Sequence, residues 1–248
     1  MKLLLIGAGN MGGAMLAGLS QYDITVVQKN ETKAKRLQEQ YPNLNITNTI
    51  PSLDAYTVIL AIKPQSLDSL HVKGCAQGLI SILAGVTIET LKEKIEAKSY
   101  VRAMPNMAAA MQKSATSLCG DIQLKEDAMN ILSSVGACFW LESEDQLDIA
   151  SALAGSSPAW IALVAEALSD GAVKLGLKRD ISYQFVAAVL EGVGIVLKEE
   201  HPAILKDKVT SPAGTTIAGI AKLEEGGVRD SFIKAMQASY ERAKKLQG

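Results

Sequence analysis

The 248-residue sequence predicts an α/β protein in which a doubly wound N-terminal domain, residues 1–148, precedes an all-helical domain, residues 149–248. Three observations support this prediction. Short apolar runs alternate with helical patterns over the first 140 residues, a glycine-rich turn follows the first run, and no strand pattern occurs after about residue 145. Continuous apolar runs are typical of parallel strands that are covered on both faces, and their alternation with helices indicates a sheet between two helical layers.

Seven strands and five helices are predicted in the N-terminal domain from these runs and the patterns between them. The predicted strands are Lys2–Ile6, Ile24–Val27, Thr57–Ile62, Leu79–Leu83, Tyr100–Ala103, Ala115–Cys119 and Ala137–Leu141. The predicted helices are Met11–Ser20, Glu31–Gln40, Ser66–Leu70, Ile88–Glu96 and Lys125–Val135.

Four helices are predicted in the C-terminal domain. The first begins at Ser157-Pro158, an N-cap residue followed by proline at the first helical position, and ends near residue 176. The others cover Asp180–Glu199, Gly214–Leu223 and the stretch from Gly227 to the end of the chain. Helices that are apolar around most of their circumference need a covering surface. In a segment this short, we expect a second copy of the chain to provide it.

The charge balance argues against two classes of partner. The sequence has 25 Lys and Arg against 26 Asp and Glu, which disfavours a nucleic-acid binder and a polybasic membrane anchor. Its later apolar stretches carry acidic residues or are shorter than the roughly 20 residues of a membrane span. Three widely spaced cysteines and two histidines predict neither a disulfide framework nor a metal site. We expect a protein of the reducing cytoplasm, with no nucleic-acid or membrane partner.

The glycine-rich turn predicts a dinucleotide site. Gly7, Gly9 and Gly12 form a G-x-G-x-x-G motif that directly follows the first strand and opens the first helix. In this motif, the first glycine permits the tight turn, the second lets the backbone approach a pyrophosphate, and the third lets the helix pack closely on the strand. The free amides at the helix N-terminus favour phosphate binding.

The residues that end the second strand favour NADP(H) over NAD(H). A carboxylate usually stands here in NAD-binding proteins and accepts a hydrogen bond from the ribose 2′-hydroxyl. This sequence has Gln28 at that position, followed by Lys29, which would attract a 2′-phosphate. NAD(H) remains the alternative, because a lone lysine in a loop is usually only solvated.

A second motif lies in the C-terminal domain, where residues 206–220 read KDKVTSPAGTTIAGI. A break at Ser211 precedes a helix that begins with Gly214, Thr215 and Thr216. Hydroxyl groups beside free helix amides form a natural cradle for a carboxylate. By pattern alone, ordinary capping of the helix by these side chains is the favoured interpretation.

Six blocks, in order along nearly the whole chain, resemble the pyrroline-5-carboxylate reductase family. They are IGAGNMGGAML at 6–16, AIKPQ at 61–65, VRAMPN at 101–106, ALAGSSPAW at 152–160, DKVTSPAGTTIAGI at 207–220, and GGVR with AMQASYERAKKL at 226–246. The TSPxGTTI block together with AMPN is specific to this family, whereas the glycine motif alone fits many enzymes. The resemblance implies a Rossmann domain and a helical domain that interlocks with its partner in a homodimer, with higher assemblies of dimers in some members.

The resemblance also implies a reaction, the NADPH-dependent reduction of the cyclic imine 1-pyrroline-5-carboxylate to L-proline in proline biosynthesis. With the residues already singled out, the predicted cofactor contacts are Ile6, Gly7, Ala8, Gly9, Asn10, Met11, Gly12, Gln28, Lys29, Asn48, Ala61, Ile62, Lys63 and Pro64. By the same resemblance, Ser211, Gly214 and Thr215 would hold the substrate carboxylate. Thr216 would place its hydroxyl against the ring nitrogen and serve as the catalytic residue.

The sequence departs from the family pattern at Met107 and Ala108 after AMPN and at Ala213 in the substrate block. In the fourth block the family's SGSGPAY is AGSSPAW here, which places Ser157 before the proline. A methyl group at Ala213 is tolerable only if that residue does not need a positive φ. The departures concern the shape of the substrate pocket and leave the reaction type unchanged.

Two other functions stay open. Another Rossmann-plus-helical dehydrogenase or imine reductase would share the layout, but the β-hydroxyacid group needs a lysine early on the long interdomain helix. That stretch reads SPAWIALVAEALSDG here, with no lysine before Lys174. A non-catalytic NADP-binding regulator would keep the glycine motif but would have no need of TSPAGTT.

Overall fold

The computed structural model describes residues 1–245, in which a sheet with covering helices is followed by a set of long helices. The strands are β1 (Lys2–Ile6), β2 (Ile24–Val27), β3 (Asn45–Thr47), β4 (Tyr56–Leu60), β5 (Gly78–Ser81), β6 (Tyr100–Met104), β7 (Ser114–Gly120) and β8 (Gly136–Trp140). The helices are α1 (Asn10–Leu19), α2 (Glu31–Gln40), α3 (Ile88–Lys94), α4 (Lys125–Ser133), α5 (Glu144–Lys174), α6 (Arg179–Val196), α7 (Pro202–Lys208), α8 (Thr215–Glu225) and α9 (Val228–Lys245).

The strand order confirms the predicted doubly wound sheet. The strands lie in the order β3-β2-β1-β4-β5-β6-β7-β8, and neighbouring strands are parallel except for the antiparallel pair of β6 and β7. The winding therefore reverses between β1 and β4. Ligands of such sheets bind beyond the carboxyl ends of the strands at this reversal, where the glycine-rich turn lies.

Two features of the sheet are not predicted by the apolar pattern. The strand β3 has three residues, of which two are polar and none is buried, so it gives no apolar run. The reversed direction of β7 and β8 is also not visible in the pattern, because an apolar run looks the same for either strand direction.

Alternate residues of β1 belong to two apolar clusters, one on each face of the sheet. Leu3 and Leu5 pack in a cluster that contains Met15 and residues of α4. Leu4 and Ile6 pack in the other cluster, together with residues of α3. All four β1 side chains are at most 2% exposed, because successive side chains of a strand point to opposite faces and helices cover both.

The chain forms two compact units. One contains Met1–Gly155 together with the described residues from Tyr240 onward, and the other contains Ser156–Ser239. As predicted, the described chain has no strand after β8. Many large apolar side chains of the second unit are exposed in the single chain, among them Leu163, Phe185 and Ile195. Apolar exposure on this scale is typical of a surface that another protein covers.

Among the described helices, α5 alone is long enough and apolar enough to cross a membrane by length and composition. Only 17% of its apolar stretch is buried. A helix with such an exposed apolar face needs a covering partner, which the sequence predicts to be a second copy of the chain.

The predicted helix start at Ser157-Pro158 is wrong. The helix α5 already begins at Glu144 and passes through Pro158. At its true start, the hydroxyl of Ser143 accepts a hydrogen bond from the backbone N–H of Gln146, at 3.2 Å. A serine and a proline that resemble a helix start therefore lie in the middle of a helix.

A tertiary contact explains how α5 continues past the proline. Proline has no N–H, so Pro158 leaves the carbonyl oxygen of Ala154, four residues earlier, without its usual helical donor. The side-chain amide of Asn106 donates to that oxygen instead, at 3.1 Å. The backbone bond that the proline removes is thus replaced from outside the helix.

Three smaller differences concern short helices and chain ends. The predicted helix Ser66–Leu70 is wrong, because only a 3₁₀ turn over Pro64–Ser66 follows β4. The apolar pattern does not predict α7, because its seven residues are too few for a clear helical period. The last helix begins at Val228 and is described to Lys245, and its predicted continuation to the end of the chain lies outside the described residues.

Candidate cofactor and substrate sites

Two glycines tolerate no side chain, one in the turn between β1 and α1 and one in the first turn of α1. Gly7 has a φ of +99°, and a Cβ atom on it would lie 2.8 Å from the carbonyl oxygen of Ala61, just after β4. A Cβ atom on Gly12 would lie 2.2 Å from the carbonyl oxygen of Gly7. The first glycine therefore permits the turn beside β4, and the other lets α1 pack on that turn.

Gly9 lies between these two glycines and faces open space. A Cβ atom on it would meet no described atom within 4 Å. Gly9 is also the N-cap residue of α1, and within the described chain no side chain caps this helix and no acidic residue lies in its first turn. The amides of the helix terminus are therefore free to bind an anion. An open cradle beside uncapped amides fits the pyrophosphate of a dinucleotide.

A cleft of about 370 Å³ adjoins the turn. It brings together the predicted cofactor residues Ile6, Gly7, Ala8, Gly9, Gln28, Lys29, Ala61, Ile62 and Lys63. Asn10, Met11 and Gly12 lie in the first turn of α1. Two predicted residues lie apart from the cleft: Pro64 lines a second cavity, and Asn48 lines a depression beside α2.

Gln28 is fixed by hydrogen bonds at both ends of its side-chain amide. Its Nε2 donates to the carbonyl oxygen of Ala8 at 3.1 Å, and its Oε1 accepts from the N–H of Asn30 at 3.0 Å. These bonds connect the loop after β2 to the glycine-rich turn. A neutral, immobilised amide therefore occupies the position where NAD-binding proteins have a carboxylate.

One lysine of the cleft, Lys33, is not predicted by the sequence motifs. Lys33, in the first turns of α2, lines the cleft together with Lys29 and Lys63. The described lining contains these three lysines and no carboxylate, so it attracts phosphate groups. The four-residue spacing of Lys29 and Lys33 across a helix start is the signal in the sequence that could have identified this cluster.

A second cavity, of about 420 Å³, lies beyond the carboxyl ends of β4, β5 and β6. Its lining residues are Pro64, Gln65, Ala84, Gly85, Arg102, Met104, Asp148, Ser151 and Ala243. A Rossmann sheet has two mononucleotide-binding halves, and the glycine-rich turn belongs to the half made by β1 to β3. The second cavity adjoins the other half, where the nicotinamide end of a dinucleotide is expected.

Arg102 lines this second cavity and is only 2% exposed. Its Nη1 donates to Oε1 of Glu144 at 2.8 Å, and its Nη2 donates to Oδ1 of Asp148 at 3.2 Å. Glu144 also accepts from the N–H of Ile88 at 3.0 Å. A buried guanidinium needs such partners, so these bonds fix the first turns of α5 against β6. A lone arginine within an apolar strand is the only signal of this cluster in the sequence.

The predicted substrate residues lie together in the turn between α7 and α8. Gly214 is the N-cap residue of α8, which begins at Thr215 and Thr216, and its N–H donates to the carbonyl oxygen of Ser211 at 3.1 Å. A Cβ atom on Gly214 would lie 2.3 Å from Oγ of Ser211. A side chain at position 214 would therefore displace the hydroxyl of Ser211 from this turn.

Ordinary capping, which the pattern favours for this turn, is not observed. Within the described chain, no side chain caps α8. The amides at its N-terminus are consequently free of side-chain caps, and the hydroxyls of Ser211, Thr215 and Thr216 lie close to them in sequence. Such a turn is a candidate cradle for a carboxylate.

Ala213 has a positive φ, the conformation in which its methyl group causes strain. Its φ is +57°, in the left-handed region. This conformation costs a residue other than glycine about 1–2 kcal/mol. The turn therefore carries local strain that a glycine at this position would avoid.

The other departures from the family pattern lie elsewhere. Met107 begins a 3₁₀ turn over Met107–Met111 and is 73% exposed. The N–H of Ala108 donates to Oδ1 of Asn106, which caps this turn. Ser157 lies inside α5.

Comparison with known protein families gives two matches. Residues 144–246 match the family model described as pyrroline-5-carboxylate reductase dimerisation, and residues 2–85 match the one described as NADP oxidoreductase coenzyme F420-dependent. A pyrroline-5-carboxylate reductase of Synechocystis is 36% identical over 262 residues, which cover 99% of this chain and 98% of that protein.

Two solved structures are also similar over the whole chain. A pyrroline-5-carboxylate reductase from Coxiella burnetii has 33% identity and a TM-score of 0.88, with 100% of this chain and 98% of that chain covered. A Plasmodium falciparum pyrroline carboxylate reductase, solved with NADP bound, has 26% identity and a TM-score of 0.77 at the same coverage.

Proposed function

The chain belongs to the pyrroline-5-carboxylate reductase family, and from this premise we propose that it reduces 1-pyrroline-5-carboxylate to L-proline with NADPH. It is an oxidoreductase of proline biosynthesis that uses a nicotinamide dinucleotide and acts on a C=N bond. The observation that carries the proposal is an open phosphate cradle at Gly9 in a chain that also has an uncapped, hydroxyl-rich turn at α8.

The protein groups in this reaction mainly bind and orient. NADPH, when bound, supplies the hydride that reduces the imine carbon. The amides at the start of α1 hold its pyrophosphate, and Ser211, Gly214 and Thr215 hold the substrate carboxylate. Thr216 directs its hydroxyl at the ring nitrogen, which receives the proton that completes the reduction. A weak donor suffices at this atom, because an imine nitrogen is basic enough to be protonated by water.

The preference for NADPH rests on charge. Lys29 and Lys33 stand in a cleft whose described lining has no carboxylate, and Gln28 is neutral. A 2′-phosphate on the ribose is attracted to such a lining, whereas NADH presents only a hydroxyl there. We therefore expect tighter binding of NADPH than of NADH.

The two predicted domains have different proposed roles. We assign cofactor binding to residues 1–148 and substrate binding and dimerisation to residues 149–248. The helical half is a dimerisation domain, and the protein is a homodimer with a small-molecule substrate. We propose a cytoplasmic location, no nucleic-acid or membrane partner, and the dimer as the unit from which any larger assembly is built.

The other functions have weaker support. Within α5, the only lysine is Lys174, in the last turn, so the chain lacks the early lysine of the β-hydroxyacid dehydrogenases. A non-catalytic NADP-binding regulator would not need the uncapped, hydroxyl-rich turn at α8.

The decisive experiment mixes the purified protein with 1-pyrroline-5-carboxylate and follows nicotinamide absorbance, with NADPH and NADH in parallel. Rapid oxidation, faster with NADPH, is the expected result. Faster oxidation of NADH would refute the charge argument but not the reaction. Binding of NADPH without oxidation would refute the reaction and direct attention to Met107 and Ala213.

A further inference from the structure

One short segment holds two parts of α5. Arg102 and Met104 of β6 and Asn106 just beyond it are alternate residues of this segment. Arg102 bonds two carboxylates in the first turns of α5, Met104 lines the second cavity, and Asn106 bonds the carbonyl oxygen of Ala154 further along the helix. Hydrogen bonds from Arg102 and from Asn106 thus hold α5 to this segment on both sides of Met104.

Asn106 uses every polar group that it has. Its backbone N–H donates to Oγ of Ser114 at 2.9 Å, in β7. Its Oδ1 accepts from the N–H of Ala108 at 3.2 Å, and its Nδ2 donates to the carbonyl oxygen of Ala154 at 3.1 Å. The backbone of Asn106 is therefore held by β7, and its side chain is held by the 3₁₀ turn while it bonds α5.

The bond to Ala154 meets a specific need. A helical carbonyl normally accepts from the N–H four residues later, and Pro158 has none to give. A half-buried carbonyl without a donor destabilises the fold. Asn106 supplies the missing donor, and in doing so it attaches α5 to the segment that follows β6.

We propose that Asn106 is a positioning residue for this enzyme. By replacing the donor that Pro158 lacks, it holds α5 beside β6 and keeps Asp148 and Ser151 in place as the wall of the cavity that receives the nicotinamide end of the cofactor. This inference rests on the proposed use of NADPH. It adds a residue that acts through α5 rather than by touching the phosphates.

A double-mutant cycle tests the inference through binding. Pro158→Ala restores a backbone N–H that can bond Ala154, so Asn106 is no longer needed as the donor. We expect Asn106→Ala to raise the Kd for NADPH about tenfold in the native background, the equivalent of one hydrogen bond. In the Pro158→Ala background the increase should be less than about twofold. Loss of the bond to Ala108 occurs in both backgrounds and cancels.

Two controls separate positioning from general loss of structure. Adenosine 2′,5′-bisphosphate carries the adenosine and 2′-phosphate but no nicotinamide, so its Kd should change by less than about twofold in each variant. Ser143→Ala removes a comparable cap from the exposed start of α5 and should leave the Kd for NADPH unchanged. If Asn106→Ala does not fold, Asn106→Asp keeps the acceptor for Ala108, loses the donor, and is measured in the same two backgrounds.

The results that would overturn the role of Asn106 differ from those that would refute the proposed reaction. Equal weakening of NADPH binding by Asn106→Ala in both backgrounds overturns the inference, because the residue would then act only as a cap. Equal weakening of the bisphosphate also overturns it. A wild-type protein that binds NADPH but does not reduce 1-pyrroline-5-carboxylate refutes the proposed function and leaves the cycle still able to test Asn106.

Discussion

The side-chain amide of Gln28 donates a hydrogen bond to the carbonyl oxygen of Ala8, 3.1 Å away. The bond ties the loop after β2, which we propose to bind the ribose, to the glycine-rich turn, which we propose to bind the pyrophosphate. Because the other end of the amide accepts from Asn30, the orientation of Gln28 is fixed before any cofactor binds. Gln28 therefore contributes a neutral amide of fixed orientation to this part of the cleft.

Gln28→Glu should reverse the cofactor preference. The substitution keeps the length of the side chain but replaces the donor to Ala8 with a carboxylate oxygen and adds a negative charge near the 2′-phosphate. We expect the Kd for NADPH to rise about tenfold or more, with a smaller change for NADH. Fluorescence titration with both cofactors measures this. Gln40→Glu, at the end of α2, is the matched control and should change neither value.

Gly9 and Gly12, at the start of α1, should respond differently to alanine. Gly9→Ala should leave stability nearly unchanged, because its Cβ atom meets open space, but should abolish tight NADPH binding. Gly12→Ala should destabilise the fold by about 1–3 kcal/mol, because its Cβ atom would overlap the carbonyl oxygen of Gly7. Urea unfolding and cofactor titration on the same samples separate the two effects.

Gly13→Ala is the control for that series. Its Cβ atom would lie 3.8 Å from the carbonyl oxygen of Ala8, an ordinary contact, so alanine should stabilise α1 by about 0.5–1 kcal/mol. A Gly9→Ala variant that binds NADPH as tightly as the wild type would show that the pyrophosphate does not lie against this residue.

Ala213→Gly should stabilise the protein. Relief of the left-handed strain is worth about 1–2 kcal/mol, and the greater freedom of glycine in the unfolded chain offsets about half of it. We expect a net gain of about 0.5–1 kcal/mol in the free energy of unfolding, measured by urea titration. Ala218→Gly, in α8, should instead lower it by about 1 kcal/mol. A loss of stability in both variants would contradict the strain at Ala213.

Thr216→Ala should reduce kcat, because the hydroxyl is proposed to face the nitrogen where the proton arrives. A lost transition-state hydrogen bond of about 2–4 kcal/mol corresponds to a rate loss of roughly 30- to 1,000-fold. Thr216→Ser keeps the hydroxyl and should restore most of the rate, whereas Ser211→Ala should chiefly raise KM. Steady-state kinetics of the three variants decide the matter, and a Thr216→Ala rate within twofold of wild type removes Thr216 from this role.

Two of the three thiols should be unreactive at neutral pH. Burial raises the pKa of Cys119 and of Cys138 to about 11. Only the thiolate attacks an alkylating reagent, and at pH 8 about one in a thousand of these thiols is ionised. Alkylation of the folded protein, followed by peptide mass spectrometry, should therefore be slow at both residues and should accelerate about tenfold per pH unit up to the pKa. Rapid modification at pH 8 would contradict this.

The sequence predicts the fold best in segments that are buried on both faces, because a continuous apolar run there indicates a strand. Runs such as Leu3–Ile6 are buried on both faces, so their strands lie within two residues of the predicted bounds. The glycine motif can also be recognised in the sequence, because the steric requirements of Gly7 and Gly12 arise within the turn itself and beside the next strand of the sheet. Polar strands such as β3 and short helices such as α7 give too weak a periodic signal.

The remaining differences come from contacts between distant parts of the chain. Pro158 resembles a helix start, and only the donor from Asn106 makes it acceptable inside α5. Arg102 reveals its buried carboxylate partners only after β6 and α5 are packed together. Charge in the cleft likewise depends on where α2 brings Lys33.

The nucleotide-binding unit takes its last pieces from the far end of the sequence. Tyr240 donates to Oδ1 of Asp145 at 2.9 Å, Lys244 bonds the same carboxylate, and Ala243 lines the second cavity. A ribosome therefore releases the sheet before the residues that complete its unit have been synthesised, and a gene fragment that ends at residue 155 encodes an unfinished module. Because the unit consists of two separate segments of the chain, its transfer between genes would need two crossovers. A contiguous N-terminal domain would need only one.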